Sequence, residues 1–244
     1  MKKLHIGLLA LIFSQATFAQ FDLEKINTKV KSTVSTVSGN NNGSSLSSDE
    51  IISGLKEALT KGTDNSTKIL HQADGYFGNA AIKILMPAEA QKVESTLRNL
   101  GMSSLVDKAI LSMNRAAEDA AGGVSTIFFD AIKKMTVKDG LSILRGGNFA
   151  ATDYLKQTTT SELTAMMKPI IDASLQKVNA TAYWDKVFSN YNRFSSNKVE
   201  TDLSAWVTAK ALKGMFVSIG QEEQKIRQDP AARTTDLLKK VFNK

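Results

Sequence analysis

Apolar residues recur at steps of three and four along most of the chain after Leu46, and this spacing constrains the fold more than any other feature. Such a spacing puts one side of each turn against a core, as in an amphipathic helix. No stretch alternates between apolar and polar residues for long enough to make a sheet strand. The chain also has no cysteine. The sequence therefore predicts an all-α fold whose stability comes from a packed core and not from disulfides.

Capping patterns mark where several of the helices begin. At the first of them, the Ser47 hydroxyl accepts a hydrogen bond from the Glu50 N–H, and the Glu50 carboxylate reaches back, which is a capping box. The same reasoning predicts helix starts at Thr136 with Asp139, at Asn148, at a second capping box over residues 159–162, and at Asp229 followed by Pro230.

The predicted helices form a single compact domain of about nine helices over residues 46–244. Their approximate bounds are 47–72 with a pause at Gly62, 87–101, 104–121, 124–135, 136–145, 148–155, 159–178 with a kink at Pro169, 182–191, 203–228 and a last apolar stripe at 237–242. Residues 82–86 predict an extended segment, because the residue before a proline, here Pro87, avoids the helical region. The polar composition of residues 192–197 predicts a loop.

The first 19 residues have the pattern of a secretory signal peptide. Lys2 and Lys3 precede an apolar run at 4–13, and small residues at 17 and 19 precede a predicted cut after Ala19. Residues 20–45 predict a leader with a weak amphipathic helix followed by a flexible Gly/Asn/Ser linker. We therefore expect a periplasmic or secreted protein, and no later apolar run is long enough to predict a transmembrane segment in the mature chain.

The residues that most enzyme sites need are scarce. His71 is the one histidine after the predicted cut, so neither a zinc site nor a di-iron site is predicted. A Ser-His-Asp triad could use only His71, which is expected at a helix end. Neither glycine-rich nucleotide motif occurs. We therefore expect no catalytic residues, no metal and no cofactor, and the lack of basic runs predicts no nucleic-acid partner.

Several charged residues allow two interpretations. Arg115 meets Glu118 and Asp119 at helical spacing, and Asp130 similarly meets Lys133 and Lys134, which indicates surface ion pairs. Alternatively, Arg115, Arg145, Asp153 and Arg233 converge in space and make a polar network or an anion pocket. Residues 145–148 also allow two interpretations. They are either the caps of two helices, or an anion site at a helix N-terminus beside Arg145.

Six stretches of the chain, in order, resemble a family of exported bacterial proteins known as domain of unknown function family 4197. They are SSDEIISGLKEAL (47–59), DGYFGNAAIKILMP (74–87), SMNRAAE (112–118), FDAIKKM (129–135), ILRGGNFAATDYL (143–155) and RQDPAARTTDLLKKVF (227–242). The resemblance implies an all-helical domain of a Gram-negative periplasm or envelope, without a known activity. It also marks motif positions, namely Asn114, Arg115, Glu118, Asp130, Arg145, Gly146, Gly147, Asp153, Tyr154, Asp229, Pro230 and Arg233.

Three hypotheses for function follow. The first is a non-enzymatic binding protein for a small anionic or amphipathic ligand or an envelope protein, with ligand contacts at Arg115, Arg145, Asp153, Tyr154 and Arg233. The second is an envelope structural or assembly factor with an exposed apolar surface. The third is a hydrolase of cell-wall material that uses carboxylates alone, on the basis of Glu94 followed by Ser95.

Overall fold

A computed structural model describes residues 47–182, 184, 188, 192, 193, 196, 198 and 202–242. The α-helices whose bounds lie within these residues are α1 (Ser48–His71), α2 (Gln91–Asn99), α3 (Ser103–Ala120), α4 (Ser125–Lys134), α5 (Val137–Arg145), α6 (Ala150–Gln176), α7 (Leu203–Gln228) and α8 (Asp236–Phe242). Single 3₁₀ turns lie at Ala88–Ala90, Ala121–Gly123 and Pro230–Ala232. No described residue lies in a strand, so the all-α prediction is confirmed.

Some predictions concern residues outside the described part of the chain. These are the signal peptide at 1–19, the leader and linker at 20–45, most of the helix at 182–191 and most of the polar loop at 192–197. Among the described helices, none combines the length and the apolar character that crossing a membrane requires.

Three of the predicted helix caps are present. Ser47 Oγ accepts from the Glu50 N–H at 3.2 Å, and the Ser47 N–H donates to the Glu50 carboxylate at 2.9 Å. Thr136 and Asp139 make the same two-way cap at the start of α5. Asp229 accepts from the Ala231 N–H at 2.9 Å and so caps the last 3₁₀ turn. Local sequence determined these starts, because a capping box needs only residues three apart.

Two predicted interruptions of helices are wrong. α1 passes through Gly62 without a pause, and α6 is one helix where two were predicted, at 148–155 and 159–178. In α6 the Thr159 and Thr160 hydroxyls donate to the carbonyls of Leu155 and Lys156, one turn earlier. A threonine that bonds back in this way continues a helix and does not cap a new one.

α2 ends where the glycine was predicted to end it. Gly101 has φ +77°, a left-handed conformation that glycine adopts without the steric cost of a Cβ. Its N–H donates to the Arg98 carbonyl, and the Met102 N–H donates to the Leu97 carbonyl. These two bonds are a Schellman motif, which satisfies carbonyls that have no partner inside the helix. The chain then turns directly into α3.

α6 and α7 lie at the centre of the core. α6 packs against α7, α3 and α4, and α1 packs against α7, α4, α5 and α8. Alanines at 116, 117 and 120 are buried on α3 and let its backbone approach its neighbours closely. Phe128 of α4 meets Phe216 of α7 edge to face, with ring centroids 6.2 Å apart. The described residues between Ser47 and Phe242 form one compact unit.

The segment between α1 and the first 3₁₀ turn is not helical over residues 83–87, and side chains of α3 hold it in place. The Asn114 side chain accepts from the Ile84 N–H at 2.9 Å and donates to the Ile84 carbonyl at 2.8 Å. Glu118 accepts from the N–H groups of Tyr76 and Phe77. Asn114 and Glu118 are buried, so each supplies the partners that this segment would otherwise take from water.

Candidate functional site

An open groove runs along the outer side of α5. The inner side of this helix packs tightly on α1, since a Cβ at Gly140 would lie 2.1 Å from Ile52 Cδ1. Ile143 is buried on the same inner side. The opposite side of α5, which starts at Val137 and Lys138 and repeats every four residues, therefore faces outward. These residues line the groove: Val137, Lys138, Leu141, Ser142, Arg145 and Gly146.

The groove is large enough for a small molecule, whereas a second, much smaller cavity is not. The groove has a volume of about 710 Å³, within the roughly 300–1,000 Å³ that small-molecule sites occupy. The cavity between α1, α6 and α7 has a volume of about 20 Å³, which is room for about one water molecule. Of these two spaces, only the groove has room for a small molecule.

The groove combines aliphatic side chains with two cations. Val137 is 45% exposed, and Leu141 lies one turn further along the helix. Within the part of the chain that the structure describes, neither Lys138 nor Arg145 forms an ion pair. The Asp139 carboxylate lies between them in sequence but is engaged in the helix cap, where hydrogen bonds from Thr136 lower its pKa. The surface offered to a ligand is therefore apolar and positively charged.

Tyr154 lies close to the start of α5. This tyrosine is half-buried in the first turns of α6, and its ring packs against the core. Burial raises the pKa of its hydroxyl, and the negative charge of Asp139 raises it further. Its neighbour Asp153 is exposed. Of the predicted ligand residues, Arg145 lines the groove and Tyr154 is near the other end of the same helix.

Arg115 has different partners from Arg145. Its guanidinium donates to Glu118 at 2.5 Å and to Asp74 at 2.7 Å, and these two carboxylates raise its pKa. The predicted pair with Glu118 is confirmed. Among the described residues Arg115 forms no ion pair with Asp119, whose carboxylate accepts from Ser174 of α6. Arg115 thus ties α3 to the loop after α1.

Asp130 forms no ion pair with Lys133 or Lys134 among the described residues. All three side chains belong to exposed residues. Ion pairs at such positions contribute little stability, because water solvates both charges and holding them together costs side-chain entropy.

Glu94, on which the hydrolase hypothesis rests, forms an ion pair with Arg98, and Arg98 also pairs with Asp107.

Arg233 is buried and caps the end of α7. Its guanidinium donates to the carbonyls of Ile226 and Arg227, at 3.0 and 2.8 Å. Arg227 in turn donates to the Ile143 carbonyl near the end of α5. Arg233 therefore lies on the side of the core that holds α5, but its donors are directed at carbonyl groups of the protein.

The N-terminus of α6 is capped by a residue that the sequence did not indicate. The predicted cap at Asn148 is wrong: the cap position is Phe149, whose side chain makes no capping bond. Instead, Glu223 of α7 accepts from the N–H groups of Ala151 and Thr152, at 3.0 and 2.8 Å. Glu223 comes 72 residues later in the chain, so no local pattern indicates it. Gly146 is the C-cap of α5 and has an extended backbone conformation. A Cβ added at Gly147 would have no atom within 4 Å.

The other groove residues were missed although the sequence contained an indication. Val137, Leu141 and Arg145 recur at steps of four, with Lys138 and Ser142 beside them. This is an outward stripe on a helix whose inward side is marked by Gly140 and Ile143.

No cluster of metal-binding side chains occurs among the described residues. His71 places its Nδ1 2.9 Å from the Glu118 carbonyl, and its ring lies where a Cβ on Gly122 would be. This histidine therefore packs against the connection that follows α3.

Comparison with known proteins identifies the family of this chain. No curated protein and no solved structure matches the chain. Residues 45–243 match the family model described as Protein of unknown function (DUF4197). The match covers every described helix, including the motif positions at α3, α5 and the last 3₁₀ turn. The chain belongs to the DUF4197 family.

Proposed function

We propose that this protein is a non-enzymatic binding protein whose ligand is a small anionic amphiphile that lies along α5. The observation that carries the proposal is the groove in which Val137 and Leu141 are lined up with Lys138 and Arg145. An amphiphile satisfies both kinds of side chain at once. An uncharged apolar molecule would leave the two cations without a partner, and a purely ionic one would leave the aliphatic side chains exposed.

The dimensions of the helix set the size of the ligand. Val137 and Arg145 are eight residues apart, which is about 12 Å along a helix axis. The alkyl part of the ligand packs on Val137 and Leu141. Its anionic head bonds to Arg145, because a planar guanidinium donates two parallel hydrogen bonds to a carboxylate or phosphate. Lys138 provides a second positive charge from the start of the helix.

Binding of defined amphiphiles tests the proposal. Isothermal titration calorimetry with decanoate, decyl phosphate and decanol should rank both anions above the alcohol. The double substitution Lys138→Gln/Arg145→Gln should weaken binding of the anions by about tenfold or more, since a hydrogen bond to a charged group contributes about 1.5–3 kcal/mol. Leu141→Ser should weaken all three compounds alike.

The matched control removes the same charge elsewhere. Lys108→Gln/Lys156→Gln alters two exposed lysines that lie outside the groove and should leave the affinities unchanged. The proposal fails if the anions bind no better than decanol, or if the Lys138→Gln/Arg145→Gln protein binds them as the unaltered protein does.

A second function is favoured by a separate observation. The turn between α2 and α3 and the first turn of α3 together expose three large apolar side chains, Leu100 at 70%, Met102 at 47% and Leu105 at 57%. Such a cluster on a surface is typical of an interaction site, and it supports an envelope assembly factor. A photocrosslinker in place of Leu105 should capture one partner protein in cells, and the same group in place of the equally exposed Val178 should not. Capture at both positions, or at neither, would oppose this function.

For both functions we propose that the protein acts outside the cytoplasm, as the pattern of residues 1–19 predicts. The intact mass of the protein recovered from a periplasmic fraction tests this directly. We expect a chain that begins at Gln20, and a chain that retains Met1 in the cytoplasmic fraction would contradict export.

A further inference from the structure

A second positively charged surface lies where the segment after α1 runs along the first half of α7. It consists of Phe77, Lys83, Leu85, Trp206 and Lys210, and we refer to it as the lysine–aromatic surface. The Lys83 ammonium lies 3.7 Å from the centre of the Phe77 ring, and the Lys210 ammonium lies 4.2 Å from that of the Trp206 ring. The Trp206 indole N–H donates to the Leu85 carbonyl at 3.4 Å, which joins the two halves.

The segment presents alternate side chains to solvent. Ile82 and Ile84 are buried, whereas Lys83 is partly exposed and Leu85 is 55% exposed. Asn114 fixes this register, because it bonds both the N–H and the carbonyl of Ile84. A slip by one residue would turn the isoleucines outward. Lys83 and Leu85 are therefore held on the outside by a buried contact.

α7 extends the same surface along its own axis. Trp206 and Lys213 are seven residues apart, so they lie almost in line on the helix, with Lys210 between them. Lys213 is exposed, and Val217, one turn further, is 36% exposed. Gly214 allows the segment to lie close to α7, since a Cβ there would come within 2.9 Å of the Tyr76 ring and 3.1 Å of Ile82.

The lysines of this surface have no carboxylate partner among the residues that the structure describes. Two nearby carboxylates are engaged elsewhere: Asp74 is paired with Arg115, and Asp202 with Lys168. The cation–π contacts leave the ammonium groups available to a second partner. The surface is thus a patch of net positive charge that also exposes Leu85 and part of an indole ring.

We infer that the lysine–aromatic surface docks the protein on a bilayer of anionic phospholipid. Tryptophan favours the interface between the acyl chains and the headgroups, where its ring is in apolar surroundings and its N–H is near polar groups. Lysines beside it contact anionic headgroups, and Leu85 enters the acyl boundary. A soluble polyanion would engage the lysines but would gain nothing from Leu85, and this difference separates the two partners. The inference is independent of the ligand proposed for α5.

Vesicle flotation with the full chain tests the inference. Vesicles of phosphatidylcholine that contain phosphatidylglycerol should carry the protein to the top of the gradient, and vesicles of phosphatidylcholine alone should not. Lys83→Gln/Lys210→Gln should weaken partitioning by about 25-fold, since each lysine near an anionic surface contributes about fivefold. Leu85→Ser should weaken it by about tenfold, because the leucine no longer transfers an apolar side chain into the bilayer.

The controls match both charge and exposure. Lys108→Gln/Lys156→Gln removes the same charge from two exposed lysines that lie outside this surface and outside the α5 groove, and Val178→Ser alters an apolar side chain that is 56% exposed. Both proteins should bind the anionic vesicles as the unaltered protein does. In a protein with Trp184→Phe, Trp206 is the one remaining tryptophan and gives the whole tryptophan fluorescence. Brominated anionic lipid should quench this fluorescence if Trp206 contacts the bilayer.

Three outcomes would overturn the inference. They are no flotation with anionic vesicles, equal loss of flotation in the charge control and in Lys83→Gln/Lys210→Gln, or flotation that depends on the lysines but not on Leu85. The last outcome would indicate a soluble polyanion as the partner. Unchanged circular dichroism of each variant shows that a loss of binding does not reflect unfolding.

Discussion

Three buried polar side chains, those of Asn114, Glu118 and Glu223, bind backbone groups that the helices and the loop after α1 leave unpaired. Each bonds a segment at least 30 residues away in sequence. The family resemblance marks two of them, Asn114 and Glu118, as motif positions. The sequence gives no indication of the segments that they bind, because those segments are distant in the chain. By spacing alone, Glu223 and Arg227 read as an ordinary pair on the outside of a helix.

The capping role of Glu223 leads to a stability prediction. Glu223→Gln keeps the size of the side chain but replaces one acceptor oxygen by a donor, which faces the N–H groups of Ala151 or Thr152 or the guanidinium of Arg227. We expect a loss of about 1–3 kcal/mol in the free energy of unfolding, as for a buried donor left without a partner. Urea denaturation followed by circular dichroism measures it.

The control for this substitution is Glu162→Gln, which changes an exposed glutamate in the middle of α6. It should alter the stability by less than about 0.5 kcal/mol. Equal effects of Glu162→Gln and Glu223→Gln would show that Glu223 does not cap α6.

At the level of helices, the sequence predicts those ends that neighbouring residues determine. The capping boxes at 47–50 and 136–139 and the glycine at 101 are such ends, and all three are present. The N-terminus of α6 was placed at Asn148, which was wrong, because its N–H groups are bound by a different helix. The break predicted at 159–162 was also wrong, since those threonines bond back into α6. Helix ends that depend on tertiary contacts have no local pattern.

The cap of α5 predicts a dependence of stability on pH. Hydrogen bonds from the Thr136 hydroxyl and then from its N–H lower the pKa of Asp139 in the folded protein. The cap therefore stabilises the fold fully above the ordinary pKa of an aspartate, and this contribution is lost as the pH falls through the lowered pKa of the folded state. Asp139→Asn should be less stable than the unaltered protein at pH 7, and the difference should shrink in acid.

Urea unfolding of both proteins across a series of pH values measures this difference. Thr136→Ala removes the larger cause of the lowered pKa and should remove most of the same pH dependence. A difference between the Asp139→Asn protein and the unaltered protein that stays constant down to acid pH would contradict the assignment.

For the whole molecule, hydrophobic spacing predicted the all-α class and most of the helices, because each amphipathic helix shows its buried side within its own residues. The candidate site was predicted only in part. Arg145 lines the groove, but Arg115 and Arg233 bond to carboxylates and carbonyls of the protein itself. Whether a cation faces a ligand or its own backbone depends on how helices pack, and the spacing of residues in one helix contains no information on that.

The two ends of the described domain are packed together, and this predicts how it unfolds. α8 lies on α1, where a Cβ at Gly54 would come within 2.7 Å of Val241. Leu238 is fully buried in a cluster with Ala58 and Ile226. Leu238→Ala should cost about 2–5 kcal/mol, as for a buried leucine that leaves a cavity. Leu105→Ala, at an exposed position, is the control and should cost far less.

The destabilisation by Leu238→Ala should reach the whole domain and not α8 alone. α1 packs against α4, α5 and α7 as well as α8, so loosening its contact with the last helix weakens the element on which the others rest. Urea midpoints from far-ultraviolet circular dichroism and from tryptophan fluorescence should therefore move down together, since Trp206 lies in α7 and not beside the altered residue. If α8 instead frays by itself, helical signal falls at low urea while the fluorescence midpoint stays in place. That result would mean that the terminal helix is an addition to the fold, whereas coincident midpoints mean that it closes the fold.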